Sequence, residues 1–523
     1  MSNTSKPYGQ SASIWMSTAE FNTTPLVDET DADVCVVGAG IAGLTTAYLL
    51  AREGKSVLLL SDSAVGGGET GRTTAHLASA MDEGIYHLEE MHGADNTRRI
   101  VASHAAAISA IEEIVARERI DCHFTRLDGY LFDSPDDEAP TDTLDKEYLA
   151  AQRAGLEVSW VETAPITGYH TGRALRFANQ GMFHPLKYVN GLANAFQKRG
   201  GRIYTGTRVD EKFEVGSPVV IHTMDGVTVR CAHLVVATNS PALNFLEVHT
   251  KQVPYRTYAV ALAIPRDSVA PALMWDTLDP YHYVRVHRED DGNDYLIVGG
   301  EDHKTGQDDA PEERWAALAE WTRARFPMAT TLHRRWSGQV MEPIDGVAFI
   351  GRYDRKHHNV YCITGDSGQG MTHSTLGAML ITDLIAGRAN EWEDIYSPSR
   401  KSMSGLGAFV KHAANTVRQY ADWLAPGEIA SPDEIPSGSG AVLRRGLHKV
   451  AVYRDPEGGL HEVSATCTHL GCIVQWNDGE HSWDCPCHGS RFNPVGVVIN
   501  GPAVENLRPV HESAVASAAS QDS

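Results

Sequence analysis

From Asp33 the chain runs DVCVVGAGIAGLTTAYLLAREGKSVLLLSD. Its apolar positions come first as an unbroken run, then on a helical period, then as a second unbroken run. Short unbroken runs bounded by turn residues are the pattern of strands buried on both faces, and the 3.6-residue period between them is that of a helix laid on the same sheet. The segment predicts strand, glycine turn, helix, strand, with Gly54 placed for a left-handed C-cap. Strands are also predicted within RIYTGTRV (202–209), VVIHTM (219–224) and HLVVATN (233–239). YHYVRVHR and YLIVGG flank the turn EDDGND and predict a hairpin. VYCITGDSGQGMTHSTLGAMLITDLI (360–385) repeats the strand, glycine, helix order. A helical period over 404–424 leads into SPDEIPSGSG, whose Pro, Gly and Ser content marks a linker or the mouth of a new domain of short strands.

Within the first unit Gly38, Gly40 and Gly43 form G-x-G-x-x-G between a strand and a helix. That context predicts a nucleotide site: the glycines allow the turn, let backbone approach a pyrophosphate and seat the helix on the sheet. The helix N-terminus, opened by Ile41 and Ala42, then faces the phosphates with free N–H groups. An acidic residue is expected at the end of the second strand to take ribose hydroxyls. Ser61 stands at the expected place and Asp62 one later, so either serine makes the contact or the register shifts by one. The loop GGGETGRTTAHL follows, where Arg72, Thr73 and Thr74 offer donors to a long bisphosphate cofactor, which favours FAD over NAD. Gly370, Met371 and Thr372 open a second helix whose N-terminus suits negative charge on a reduced flavin.

A length of 523 residues predicts two or three domains, and 42% hydrophobic with 21% charged residues is an ordinary globular composition. The net charge of −22 argues against nucleic acid and anionic lipid as partners. No apolar run reaches the ~20 residues of a membrane span. The polar N-terminus does not read as a secretory signal. The expected location is cytoplasmic. Cys35, Cys122, Cys231 and Cys362 are isolated in apolar contexts and read as buried thiols. The other four cysteines share one window with two histidines.

That window is CTHLGC (467–472), twelve residues, then CPCHGS (485–490). Cys467 with His469, and Cys485 with His488, form two half-sites. Two thiolates on one iron and two imidazoles on the other is Rieske 2Fe–2S ligation. A structural zinc site, the alternative, would leave the second pair of cysteines without use.

The first part resembles the FAD-dependent oxidoreductases of the D-amino-acid oxidase superfamily, which includes glycine and sarcosine oxidases. The resemblance rests on VVGAGIAGL, GETGRTTAHL, HLVVATN, WSGQ with EPIDGVAFIGR, and GDSGQGMTHS; Ser374 departs from it, where relatives carry glycine. It implies FAD with its pyrophosphate over Gly38–Gly43, Val209 also touching the cofactor, and the flavin ring near Thr74, His76 and Met371. Some relatives attach flavin covalently through a histidine in a similar loop, so His76 is either that anchor or a non-covalent neighbour. The second part resembles the Rieske proteins of respiratory cytochrome complexes. That implies a disulfide between Cys472 and Cys487, a Ser490 hydroxyl bonded to a cluster sulfur, and a potential below that of the highest members, since Phe492 stands where they carry tyrosine. Gly501–Pro502 is expected to cover the cluster, with His469 and His488 exposing their outer nitrogens as the electron exit.

The expected architecture is an α/β (α+β) Rossmann-like FAD domain with an antiparallel substrate-domain sheet, plus a small all-β Rieske domain. Its expected boundaries are an extension (1–30), the oxidoreductase (31–395), a helical linker (396–427), the Rieske domain (428–512) and a tail (513–523). Flavin accepts two electrons and the cluster carries one, which suits a dehydrogenase drained stepwise by an external acceptor, a redox protein or a quinone. From the resemblance the substrate is an amine or amino acid. Tyr283 and Arg285, with Tyr281, are candidate substrate contacts; Arg285 either clamps a carboxylate or is a plain strand arginine. Tyr255–Arg256 is a similar pair. The rival reading is an electron-transfer protein whose flavin is reduced by a protein partner. A Rieske oxygenase lacks the paired histidines and carboxylate of mononuclear iron.

Overall fold

The computed structural model describes residues 9–133, 142–240, 248, 250–289, 292–307, 310–353, 357–400, 423 and 427–510. The predicted helix at 404–424 and the tail at 513–523 lie outside them, apart from Trp423.

The apolar runs become the centre of a mixed sheet. Strand β1 (Thr30–Val37) lies between β2 (Val57–Leu60) and β3 (Thr228–Asn239), all parallel, with Val36 opposite both Leu59 and Val235. Strand Val360–Thr364 continues the sheet beyond β3 and Arg202–Tyr204 beyond β2. β1 is thus an interior strand with a parallel neighbour on each side. Sheets of this kind bind ligands in a crevice at the C-terminal ends of their strands. Helix α1 (Ile41–Arg52) starts in the crevice, and Gly54 follows it at φ +83°, the left-handed conformation expected of it. Helix α2 (Gly370–Ile385) packs beside α1 and opens on the same crevice.

A second sheet forms the opposite wall. Its centre is β4 (Gln252–Ile264), flanked antiparallel by β6 (Asp294–Lys304) and β7 (Thr331–Pro343), with β5 (His282–Arg288) beyond β6. The expected hairpin is present, Tyr283 facing Gly299 and Val284 facing Val298. Gly299 leaves room for the Tyr283 ring, which a Cβ there would strike at 2.2 Å.

The C-terminal unit is two antiparallel sheets, Gly440–Ser464 in three strands and Gln475–Asn500 in four. Its core gathers Val442, Ile473, Trp483 and Phe492 around the four clustered cysteines. Residues 9–20 touch both units: Gln10 N–H donates to Glu480 O at 3.1 Å, and Trp15, fully buried, donates from Nε1 to Thr73 O at 2.6 Å. Among the described residues no helix is long and apolar enough to cross a membrane.

Candidate flavin cavity and metal centre

The crevice is built from backbone. Gly38 sits at φ +108°, and a Cβ there would fall 2.3 Å from Ala237 O. Gly43 lies against the turn itself, since its Cβ would come 1.9 Å from Gly38 O. Gly40 faces Thr70 Oγ1, which accepts the Ile41 N–H at 3.1 Å. The first turn of α1 and the Thr70 hydroxyl thus border a turn with no Cβ at Gly38, Gly40 or Gly43, the form of a phosphate cradle. The cavity beyond it encloses about 270 Å³, and Ser61, Asp62 and Val209 line its far end. Ser61 is buried and Asp62 exposed, so both residues proposed for the ribose reach the cavity edge.

Of the loop residues, Thr73, Thr74 and His76 line the cavity, as do Gly370 and Met371 of α2. Thr74 Oγ1 lies 3.1 Å from His76 Nδ1, and His76 Nε2 lies 3.4 Å from Val284 O. Burial, with the Arg285 guanidinium nearby, lowers His76 to about 3, so it is neutral. Thr372 turns away from the cavity and bonds His104 Nδ1 at 2.8 Å and Gln369 O at 3.2 Å.

Three arginines lie away from the ligand contacts considered for them. The guanidinium of Arg72 is not aimed at a phosphate: it donates to Ser337 O at 2.8 Å and pairs with Glu480 of the C-terminal unit at 3.3 Å. Arg285 is no carboxylate clamp. It is buried outside the cavity, donating to the carbonyls of Ala75 at 2.7 Å, Phe183 at 3.1 Å and Thr74 at 3.2 Å, with its guanidinium over the Trp15 ring. Arg256 likewise points to Asp484 at 3.2 Å.

Tyr281 and Tyr283 do face the cavity, their ring centroids 5.5 Å apart. The wall they share carries residues the sequence did not single out. Asp82, Asp302, Trp275, Gln339 and Gln369 all line it. Asp82 accepts from Gln369 Nε2 at 2.7 Å; burial, with Glu83 and Asp302 nearby, raises its carboxyl to about 7. Burial likewise raises Asp302 to about 6. The available signal was a carboxylate set in an apolar stretch, as in ASAMDEG and YLIVGGEDH.

The metal centre is two loops of matching form. Cys467 N–H donates to Cys472 O at 2.8 Å and Cys485 N–H to Ser490 O at 2.8 Å; Gly471 N–H returns to Cys467 O and Gly489 N–H to Cys485 O, each at 3.0 Å. Cys472 and Cys487 are joined as a disulfide with a Cα–Cα distance of 6.4 Å. The thiols of Cys467 and Cys485 are in hydrogen-bonding contact, and the His469 and His488 rings stand perpendicular with centroids 5.0 Å apart. Two buried sulfurs in contact beside two imidazoles fit a 2Fe–2S cluster with mixed ligation. Ser490 touches Cys467, and its Oγ accepts the Ala503 N–H at 2.9 Å, which leaves its own proton for the sulfur side. Only one of the two imidazoles is open as expected: His488 is 5% exposed, whereas His469 is partly exposed.

The two sites are contiguous. Asn500, Gly501, Ala503 and Val504, from the loop over the metal centre, line the flavin cavity. Gln339 donates from Nε2 to Gly489 O at 2.9 Å, next to His488. Around this seam lies a buried ion network: Glu480 with Arg72, and Asp484 with Arg256 and Arg491. Burial pushes Glu480 and Asp484 up, but the surrounding guanidiniums outweigh it and hold both carboxyls below the usual range.

Residues 33–384 match the family model of the FAD dependent oxidoreductases, and residues 426–511 that of the Rieske [2Fe-2S] domain. Over 502 residues, 95% of this chain and 97% of the relative, the sequence is 30% identical to YhfW of Bacillus subtilis, named for a Rieske 2Fe-2S iron-sulfur protein. The γ-glutamylputrescine oxidoreductase of Escherichia coli is 26% identical over 403 residues, 75% of this chain and 91% of that one. The fold of glycine oxidase from Geobacillus kaustophilus superposes with a TM-score of 0.59 at 19% identity, covering 71% of this chain and 99% of that one. The chain belongs to the FAD-dependent oxidoreductase family and carries a C-terminal Rieske domain, with the glycine crevice in the FAD-binding part and the two mirrored cysteine loops in the 2Fe–2S part.

Proposed function

We propose that the protein is a dehydrogenase that oxidises the C–N bond of an amine-like substrate and delivers the electrons through its Rieske domain to an external acceptor. The observation that carries this reading is the shared wall: the loop of residues 500–504 lines the cavity meant for the flavin while also covering the metal centre. When bound, FAD supplies two-electron hydride chemistry and the cluster one-electron transfer. The chain's own part is to orient and to hold protons. A substrate ammonium must lose a proton before its C–H bond can leave with the electron pair; Asp82 and Asp302 line the cavity with carboxyls raised to about 7 and about 6. Proton acceptors matched to neutral pH are the ones a general base requires. Tyr281 and Tyr283 give the cavity an aromatic wall beside these acids. Oxidation leaves a C=N bond, to which water adds; the C–N bond breaks, and a carbonyl compound and ammonium leave. The relative named γ-glutamylputrescine oxidoreductase supports this substrate class.

The test is anaerobic stopped-flow mixing of the protein, carrying both cofactors, with a panel of amines and amino acids. Bleaching of the flavin followed by reduction of the cluster is expected for at least one of them. If none bleaches it while a reduced redox protein does, the chain is an electron carrier and not a metabolite dehydrogenase.

A further inference from the structure

The cavity wall has an unusual charge balance. Among the described residues that line it, the only cations are Arg72 and Arg208. Arg72 is consumed by Glu480 and by the carbonyl of Ser337. Arg208 stands at the far end beside Val209 and donates to Val504 O at 3.1 Å. The arginine that a carboxylate clamp would need, Arg285, is buried outside the cavity on three backbone carbonyls.

Carboxylates crowd the same wall. Asp82 and Asp302 line it directly, and Asp366 lies at the mouth of α2. Glu83 and Glu342 stand behind, within electrostatic reach of Asp82 and Tyr281. Two acceptor atoms point to a missing donor. Asp302 Oδ1 and Gln339 Oε1 are sealed from bulk solvent with no hydrogen-bond partner among the described residues, and Gln339 as a whole is 1% exposed. Buried acceptors without donors are costly, and a bound ammonium or amine N–H would relieve them. Tyr281, Tyr283 and Trp275 line the same cavity as the carboxylates, and aromatic ring faces attract a cation within about 6 Å. Glycines make room for two of these rings: a Cβ at Gly299 would strike Tyr283 at 2.2 Å, and one at Gly129 would strike Trp275 at 2.7 Å.

We propose that this cavity selects a cationic alkylamine without a carboxylate on the reacting carbon, of the aliphatic di- or polyamine class, with Asp82 and Asp302 as the specificity-determining residues. The inference rests on the amine-oxidation reading above and narrows it. An α-amino acid would bring its carboxylate against the same acids, while of the two lining arginines among the described residues Arg72 is held by Glu480 and Arg208 donates to Val504 O; a diamine offers one nitrogen to the reacting end and a second to the other carboxylate. Once Asp82 and Asp302 are ionised, like charges without an intervening cation repel and opposite charges attract in a site of low dielectric, and the discrimination follows from their sign.

The test uses the protein carrying both cofactors and a matched pair of ligands, 1,4-diaminobutane and ornithine, which differ only by the α-carboxylate. Binding is read anaerobically from the change in the flavin absorption spectrum and by calorimetry. The diamine is expected to bind at least about tenfold more tightly than ornithine, the factor that one net favourable interaction of about 1.4 kcal/mol supplies. Butylamine, lacking the second nitrogen, is expected between them. Asp302→Asn and Asp82→Asn should each weaken the diamine about tenfold or more while leaving ornithine unchanged or tighter; the wild-type comparison stands even if a variant does not fold. Ornithine or glycine binding as well as the diamine would overturn the inference. If amino acids also bleach the flavin while diamines do not, the inference fails and the dehydrogenase reading survives. If neither class binds, both fail.

Discussion

Gln339 touches both redox sites: its amide nitrogen holds Gly489 O at 2.9 Å, and its side chain lines the flavin cavity. Ser490, the next residue on that loop, touches Cys467. A hydrogen bond worth about 1 kcal/mol corresponds to roughly 40 mV for a one-electron couple. Ser490→Ala should lower the cluster potential by that order and Phe492→Tyr should raise it, both read by redox titration under the EPR signal; unchanged potentials would remove these side chains from the account. His76, neutral and engaged at both nitrogens, is expected to leave the flavin unattached. Acid precipitation should release all yellow colour into the supernatant. Colour retained in the pellet would establish the covalent bond.

At the same scale a pH dependence follows from Asp82. Its carboxyl, raised to about 7 by burial and by Glu83 and Asp302, and bonded by Gln369, is neutral below that pH and anionic above it. Affinity for a cationic amine should therefore rise as pH increases through about 6 to 7, with Asp302 contributing the lower part of the window. A profile that is flat, or that falls over this range, would show that these carboxyls do not meet the ligand's charge. Local geometry was legible in the sequence wherever spacing over a few positions fixes it, as for the turn of Gly38, Gly40 and Gly43 or the loop of Cys467 and His469. Residue roles were not legible where a side chain's partner is remote. Arg72 reads as a phosphate ligand until Glu480, 408 residues away, takes its guanidinium. Arg285 reads as a clamp until the carbonyls of Ala75 and Phe183 surround it.

Among the elements, the strand and helix periods gave the sheet around β1 and the β5–β6 hairpin directly, because buried runs and alternation are local patterns. The docking of the Rieske loops on the second sheet is not local and leaves no mark on periodicity. It rests on buried ion pairs, in which the loss of one partner strands a charge. Glu480→Gln leaves Arg72 facing a neutral amide, and removing one member of a buried pair costs about 3–5 kcal/mol. The variant should unfold at clearly lower denaturant and also slow electron arrival at the cluster. Stability and transfer rates equal to wild type would mean the network does not hold the two units together.

On the scale of the whole molecule, the two cofactor sites share a wall made by residues 500–504 and face one another across Gln339 and Gly489. His488 is buried on the docked side, whereas His469 is partly exposed; on the proposed reading electrons enter from the flavin and leave past His469. The −22 net charge makes an acceptor with a basic docking face the faster partner, an effect that salt should screen. The most direct measurement needs no substrate. The protein carrying both cofactors is photoreduced anaerobically at its flavin, and the appearance of the reduced-cluster EPR signal is timed by rapid freezing at several protein concentrations. A first-order rate independent of concentration is the predicted result. A rate that scales with concentration, or a cluster that stays oxidised while the flavin is reduced, would contradict the intramolecular path on which the account depends.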